Sequence, residues 1–231
     1  MPKTFCMEHL FSKNINIITK LFLVYMVLFS LKTQAYSQSW KVKEFKNGVT
    51  VYTRSIAGSD VEEFKGETTV KTNLGSLLNI FEDFKNYPNW AYNCSYAERV
   101  KKVSANEGYA YNLLEMSWPV TNRDVVIHYV IKQDPQTKVV LLTLNAVNGF
   151  VPDKGNVRMT NLKGFYQFTP KPNGYVHIVY QAHSDPGGYV PSSVVNAFVY
   201  DAPYYTLLNL KKKVESPGFV KSYRKEIQEL Q

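Results

Sequence analysis

A series of strand-like segments, separated by short turns and followed by one apolar helix, is the feature that most constrains the fold of this chain. The segments are residues 94–104, 109–117, 123–133, 138–146, 157–169 and 175–183. Strands joined by short turns pair antiparallel, because parallel strands need long crossover connections. A curved antiparallel sheet leaves one hydrophobic face to cover, and the helix predicted after Pro191 is suited to cover it.

Two further strands and one helix are predicted before these segments. Residues 48–54 follow a turn, and residues 61–71 alternate between polar and apolar positions. The polar face of the second strand carries Glu63, Lys65, Glu67, Thr69 and Lys71, and the covered face carries Phe64, Gly66, Thr68 and Val70. Asn73 is placed to cap a helix that ends before residue 86.

The C-terminal helix has one apolar stripe and an internal proline. At 100° per residue the stripe contains Val194, Val195, Phe198, Val199, Ala202 and Tyr205. Pro203 cannot donate a hydrogen bond to the carbonyl of Val199, so we expect a kink or break there. The turn over residues 185–188 and the proline at 191 set the direction in which the helix leaves the sheet.

The first 37 residues have the pattern of a signal peptide. A basic segment precedes an apolar run of 11 residues, which is too short to span a bilayer comfortably and suits a signal-peptide hydrophobic region. The small residues that follow place cleavage after Ala35 or after Ser37. We therefore predict a signal peptide over residues 1–37 and a secreted or periplasmic protein. An uncleaved N-terminal anchor is the alternative.

Charge and cysteine content argue against several functional classes. Removal of the leader lowers the formal net charge from +8 to +5, and the remaining basic residues are scattered, so we predict no nucleic-acid partner. Weak attraction to anionic lipid headgroups fits this charge, as does an ordinary solvated surface. Cys6 lies in the leader, which leaves Cys94 without an intramolecular partner and predicts neither a disulfide nor a cysteine metal site.

Four segments, in order, resemble those of one known family, the StAR-related lipid transfer (START) domains. "WKVKEFKNGVTVYTR" (40–54) is similar to the opening hairpin, and "SWPVTNRDVVIHYVI" (117–131) to the Trp-Pro and Arg-Asp signature. "GYVHIVYQAHSDPGG" (174–188) resembles the last strand, and "SDPGGYVPSSVVN" (184–196) the entry to the C-terminal helix. Ser117 stands where the family often has proline, and the family's helix ahead of Trp40 is missing.

The resemblance implies an α+β helix-grip fold, in which a curved antiparallel β-sheet wraps around a long C-terminal α-helix. It implies a lipid-binding domain over residues 38–214, followed by a tail over residues 215–231. It also implies an internal cavity for one lipid or other hydrophobic small molecule, non-catalytic carriage or sensing of that molecule, and no cofactor. We expect a monomer that makes transient contact with a membrane surface.

Candidate ligand-binding residues combine polar groups on the strands with apolar residues of the helix stripe. They are Tyr111, Glu115, Arg123, His128, Asn145, Tyr180, Val194, Phe198 and Tyr205. Each of the polar candidates also has a structural interpretation. Arg123 and Asp124 would then be a pair that holds strand to loop, His128 a hydrogen-bonded core residue, and Glu115 a solvent-facing side chain.

The sequence predicts no catalytic residue and no metal site. His177 and His183 share a strand face but lie about 20 Å apart when extended, and no known hydrolase, metalloprotease or phosphate-loop motif is present. A cavity enzyme of the polyketide cyclase/aromatase type is the alternative function, and it requires an acid–base pair, for example Glu115 with His128, that converges on the pocket. A docking module without a cavity is a third hypothesis, and it would expose a large apolar patch.

Overall fold

The computed structural model describes residues 39–118 and 120–230, so the predicted signal peptide lies outside the described residues. The strands are β1 (Lys41–Lys46), β2 (Val49–Arg54), β3 (Glu63–Val70), β4 (Cys94–Lys102), β5 (Glu107–Leu114), β6 (Arg123–Gln133), β7 (Val140–Ala146), β8 (Val157–Arg158), β9 (Asn161–Lys171) and β10 (Tyr175–Asp185). The helices are α1 (Leu74–Glu82), α2 (Ser192–Phe198) and α3 (Asp201–Val214).

All of these strands belong to one curved sheet, with the order β1-β2-β3-β10-β9-β7-β6-β5-β4 and the short β8 added parallel to β6. The other pairings are antiparallel, as the short turns predict. The pairing of β3 with β10 is not sequential, and it joins the N-terminal hairpin to the last strand. The helix-grip fold implied by the resemblance is therefore present.

The concave face of the sheet is covered by α3 and α1. The alternation predicted for β3 is confirmed, because Phe64, Thr68 and Val70 are buried on this face. Gly66 lies directly beneath α3, where an added Cβ would approach the Leu207 side chain to 2.7 Å. Glycine at this position therefore lets α3 lie close against the strand.

The predicted C-terminal helix is divided into α2 and α3. Val199 and Tyr200 separate the two helices and keep helical backbone angles, while Pro203 lies in the first turn of α3. The interruption thus begins at Val199, whose carbonyl cannot accept a hydrogen bond from Pro203. Pro203 destabilises α3 little, because the backbone N–H groups of a first helical turn have no partner within the helix. Within the described residues, no helix is long and apolar enough to cross a membrane.

Aromatic side chains fill the space between α1 and the centre of the sheet. The ring of Phe81 makes edge contacts with Trp90 at 4.9 Å, Tyr166 at 4.5 Å and Phe168 at 5.5 Å between ring centroids. All four side chains are buried. This part of the concave side is therefore a packed core rather than an open pocket.

The C-terminal tail packs on α1. Asn73 is the N-cap residue of α1 but makes no side-chain cap bond, and the Glu229 carboxylate accepts hydrogen bonds from the backbone N–H groups of Leu74 (2.9 Å) and Gly75 (2.8 Å) instead. Arg224 pairs with Glu82 at the other end of α1. The tail thus supplies the cap that the sequence pattern assigned to Asn73.

Candidate functional site

A cavity of about 410 Å³ lies between α2, the first turn of α3 and one end of the sheet. Most of its wall is apolar. The strands and the β8–β9 connection contribute Phe64, Leu114, Arg123, Met159 and Ser184; the helices contribute Val194, Val195, Phe198, Asp201 and Ala202; and the other connections contribute Tyr92, Asn93, Met116, Ser117, Val120, Pro186, Val190 and Val199.

Helix α2 forms the roof of this cavity. Its apolar stripe faces the open volume, so none of its residues is fully buried, and Phe198 is 63% exposed. In α3, by contrast, Leu207 and Leu210 are fully buried in the core. The predicted apolar stripe therefore lines the cavity from α2 to Ala202, whereas α3 packs into the core through leucines outside that stripe.

Arg123 joins two of the motifs identified in the sequence. Its guanidinium donates hydrogen bonds to the carbonyl oxygens of Thr121, Pro186 (3.4 Å) and Gly187 (3.1 Å), and the last two belong to the Asp-Pro-Gly-Gly turn. Gly187 and Gly188 both have positive φ, which glycine adopts without strain. Burial lowers the pKa of Arg123. These bonds hold strand to loop, as the structural interpretation of Arg123 expects.

Asp124 points to the opposite, convex face of the sheet. Its carboxylate accepts hydrogen bonds from Arg158 at 2.5 and 3.1 Å and from the Tyr111 hydroxyl at 3.0 Å. Burial opposes ionisation of Asp124, but these bonds outweigh it and lower the pKa of the carboxyl. Burial and the bond to Asp124 raise the pKa of Tyr111 to about 12. The Asp124 cluster is therefore a closed structural network outside the cavity.

Three of the nine candidate residues, Arg123, Val194 and Phe198, line the cavity. Tyr180 lies on the same concave face but behind the wall, with its ring stacked on Tyr166 at 4.0 Å and edge-on to Phe64 at 4.9 Å. Burial raises the pKa of Tyr180. Its ring is thus part of the core that supports Phe64.

Tyr111, His128 and Asn145 lie on the convex face, opposite to the expected direction. Sequence alternation does not distinguish the faces here, because the segment between β7 and β9 covers part of the convex face and buries residues on both sides of β6. Phe150 from that segment stacks on Tyr109 at 4.1 Å. The Nε2 atom of His128 lies 2.8 Å from Oε1 of Glu107, as expected of a hydrogen-bonded structural histidine.

Glu115 and Tyr205 also lie outside the cavity wall. Glu115 is exposed just beyond β5, and its backbone N–H donates a hydrogen bond to the carbonyl of Asn93 at 2.8 Å. Tyr205 stacks on Tyr92 at a centroid distance of 5.0 Å. Neither Glu115 nor His128 lines the cavity, so the cyclase hypothesis loses the acid–base pair named for it.

Several lining residues were not among the candidates. Phe64 was detectable, because the period-2 pattern of β3 places it on the covered face. Asp201 and Met159 carry no comparable signal, since their position depends on how α3 and β8 meet the sheet. Burial raises the pKa of Asp201.

A second, much smaller cavity of about 40 Å³ lies between α1 and β5–β7. The side chains of Asn112 and Tyr129 contribute to its wall, and the Asn112 Oδ1 atom has no hydrogen-bond partner among the described residues. A volume of this size holds about one or two water molecules. This cavity is therefore far smaller than the one of about 410 Å³ beneath α2.

Comparison with known proteins identifies the family. A family model described as the START domain matches residues 21–202. The chain belongs to the START domain family. This START domain is 33% identical over 189 residues to an uncharacterized protein of Pseudomonas aeruginosa, and the alignment covers 81% of the chain and 93% of that protein. The resemblance carried by the four segments is thereby confirmed.

Solved structures similar to this START domain carry lipid-transfer names. The STAR-related lipid transfer protein of Xanthomonas axonopodis (fragment 25–204) is 30% identical, with a TM-score of 0.70 over 75% of this chain and 97% of that one. Human StAR-related lipid transfer protein 5 is 20% identical, with a TM-score of 0.65 over 85% and 94% of the two chains, and shows the shared fold.

Proposed function

We propose that this START domain binds one lipid or other hydrophobic small molecule, without catalysis, in the cavity beneath α2. The observation that carries the proposal is the apolar cavity of about 410 Å³. Its volume falls within the range of about 300–1,000 Å³ typical of small-ligand sites. Each methylene group moved from water into such a site contributes about 0.8 kcal/mol, so binding needs few polar contacts.

The rim of the cavity supports a proposal that ligand is exchanged at a membrane. Met116 and Val190 line the cavity, and the same two loops carry Trp118, which is 93% exposed, and a fully exposed Tyr189. Exposed aromatic residues of this kind partition into the membrane–water interface. The mouth would then face the bilayer, and a ligand would pass between the two without crossing water.

We also propose that the chain acts outside the cytoplasm after removal of residues 1–37, as the predicted leader indicates. The intact mass of the protein isolated from periplasmic and extracellular fractions tests this proposal. The mass of a chain that begins at residue 36 or 38 supports it, and full-length protein confined to the cytoplasm contradicts it.

Native mass spectrometry of the protein purified without detergent tests the binding proposal. We expect a co-purified ligand that is released on denaturation, and transfer of a fluorescent lipid between two vesicle populations in proportion to protein concentration. The same measurements are made on two variants. Phe198→Asp puts a charge on the roof of the cavity and tests the site, and Phe45→Ser, at an exposed position on β1, is the control. Absence of ligand together with absence of transfer would contradict the proposed function.

A further inference from the structure

Arg123 is the most deeply buried charged residue of the cavity wall, at 2% exposure. Among residues 39–118 and 120–230, no carboxylate lies within ion-pairing distance of its guanidinium. Buried charges in proteins are normally paired, since a charge removed from water without a counter-charge is strongly unfavourable. The cavity thus contains a positive charge that lacks a counter-charge.

The hydrogen bonds of Arg123 leave part of its binding capacity open. A guanidinium has five N–H donors, and the bonds to Thr121, Pro186 and Gly187 account for three of them. All three acceptors are neutral carbonyl oxygens, so they orient the side chain without balancing its charge. The chemical groups that match the remaining donors are carboxylates and phosphates, which accept paired N–H bonds.

The other charged residue of the wall, Asp201, belongs to α3, whereas Arg123 belongs to β6. Asp201 begins α3, and Tyr92 packs on the same helix with its ring stacked on Tyr205. Arg123 is tied instead to the turn at Pro186 and Gly187. A negative group on a ligand is therefore attracted by Arg123 and repelled by Asp201, which favours an orientation with that group at Arg123.

We propose that the cavity takes a single-chain amphiphile with an anionic head group, a carboxylate or a phosphate, whose head pairs with Arg123 and whose chain lies against α2. This inference rests on the proposed function. The volume of about 410 Å³ lies at the lower end of the range for small-ligand sites, which suits one apolar chain rather than the two chains of a membrane phospholipid.

Calorimetric titration with three probes of equal chain length tests the proposal. The probes are laurate, dodecyl phosphate and 1-dodecanol, each below its critical micelle concentration, added to delipidated full-length protein. We expect at least one anionic probe to bind about tenfold or more tightly than dodecanol, and the tighter anion identifies the head group. Equal binding of all three overturns the head-group proposal and leaves the proposed function intact. Binding of none overturns the proposed function as well.

Two variants separate charge pairing from the loop contacts of Arg123. Arg123→Gln keeps an amide donor for the turn carbonyls but removes the charge, so we expect weaker laurate binding and unchanged dodecanol binding. Equal weakening of both would assign Arg123 to loop structure alone and overturn the proposal. Arg54→Gln is the control, because Arg54 pairs with Glu63 away from the cavity and its loss leaves laurate binding unchanged.

A measurement on the unaltered side chain decides the same point if Arg123→Gln does not fold. In protein labelled with ¹⁵N at arginine, we expect laurate to shift the Arg123 Nε–H resonance and dodecanol to leave it in place. Shifts of equal size with both probes would contradict direct pairing.

Discussion

The side-chain amide of Asn196, in the middle of α2, is bonded through its oxygen to the backbone N–H of Glu62 at 2.8 Å. The same amide donates from Nδ2 to the carbonyl of Asp60, also at 2.8 Å. Because α2 has no fully buried residue, this two-point contact is a main anchor of the roof over the cavity. The anchor joins α2 to the loop between β2 and β3.

Replacement of Asn196 by alanine is expected to loosen α2 without unfolding the sheet. Two hydrogen bonds, each worth about 0.5–1.5 kcal/mol, are lost. Hydrogen–deuterium exchange of residues 192–198 should rise, and ligand release should accelerate about tenfold. Ser193→Ala is the control, because Ser193 is exposed on the same helix and its side chain makes no hydrogen bond within the described residues. Unchanged exchange in Asn196→Ala would refute the role of the anchor.

Phe198→Asp is expected to abolish ligand uptake, since it places a carboxylate on the apolar stripe that faces the cavity. Phe198→Leu keeps an apolar side chain and should retain most uptake. Ligand-to-protein ratios from native mass spectrometry compare the two variants, and circular dichroism establishes that both are folded. Full uptake by a folded Phe198→Asp variant would show that this face does not contact the ligand.

Double replacement of Trp118 and Tyr189 by serine is expected to weaken vesicle binding about tenfold or more while ligand binding persists. Both rings are exposed at the rim, so their loss should not disturb the core. Co-sedimentation with vesicles of phosphatidylglycerol and phosphatidylcholine measures the effect. Phe45→Ser removes a comparably exposed ring from β1 and should bind vesicles like the unaltered protein. Equal sedimentation of all three proteins would rule out the rim as the contact.

Glu229→Ala is expected to lower the free energy of unfolding by about 0.5–2 kcal/mol, the typical contribution of a helix N-cap. The Glu229 carboxylate accepts the first two N–H groups of α1 and the Asn73 side chain. Urea denaturation measures the change, with the exposed Glu226→Ala as the control. Equal urea concentrations at the unfolding midpoint of the two variants would show that the tail does not stabilise α1.

Asp124→Asn is expected to destabilise the protein at pH 7 by on the order of 3 kcal/mol, because Arg158 loses its buried partner. The pKa of Asp124 is lower in the folded protein than its ordinary value of 3.8. Its stabilisation is therefore present above that value and is lost as the pH falls through the lower, folded-state pKa.

Urea denaturation between pH 7 and pH 2 checks this linkage. The difference in unfolding free energy between the unaltered protein and Asp124→Asn should shrink as the pH falls. Asp60→Asn, at an exposed carboxylate, should follow the unaltered protein. A difference that is constant with pH would contradict the assigned role of the Asp124 carboxylate.

The sequence was informative where local pattern decides structure. Period-2 alternation predicted the buried face of β3, and Pro203 predicted an interruption of the C-terminal helix, which the structure places at Val199 and Tyr200. Both features follow from one segment alone, through side-chain direction in a strand and a missing backbone N–H. The apolar stripe likewise identified Val194 and Phe198, which line the cavity.

The faces of β5 and β6 were not predictable from the sequence in the same way. Tyr111 and His128 alternate correctly with their neighbours, but alternation does not tell which side of the sheet becomes concave. Both sides of β6 contain buried residues, because a loop covers the convex face. The assignment of these residues to the cavity therefore needed the tertiary structure.

The sequence by itself determined the strand order along the chain, the division of the C-terminal helix and the family, since each depends on local pattern or ordered motifs. Only the tertiary structure decided that an apolar cavity lies beneath α2, that Arg123 lines it without a counter-charge among the described residues, and that Glu229 caps α1. These relationships join residues far apart in the chain, and burial, charge pairing and capping depend on which distant groups the fold brings into contact.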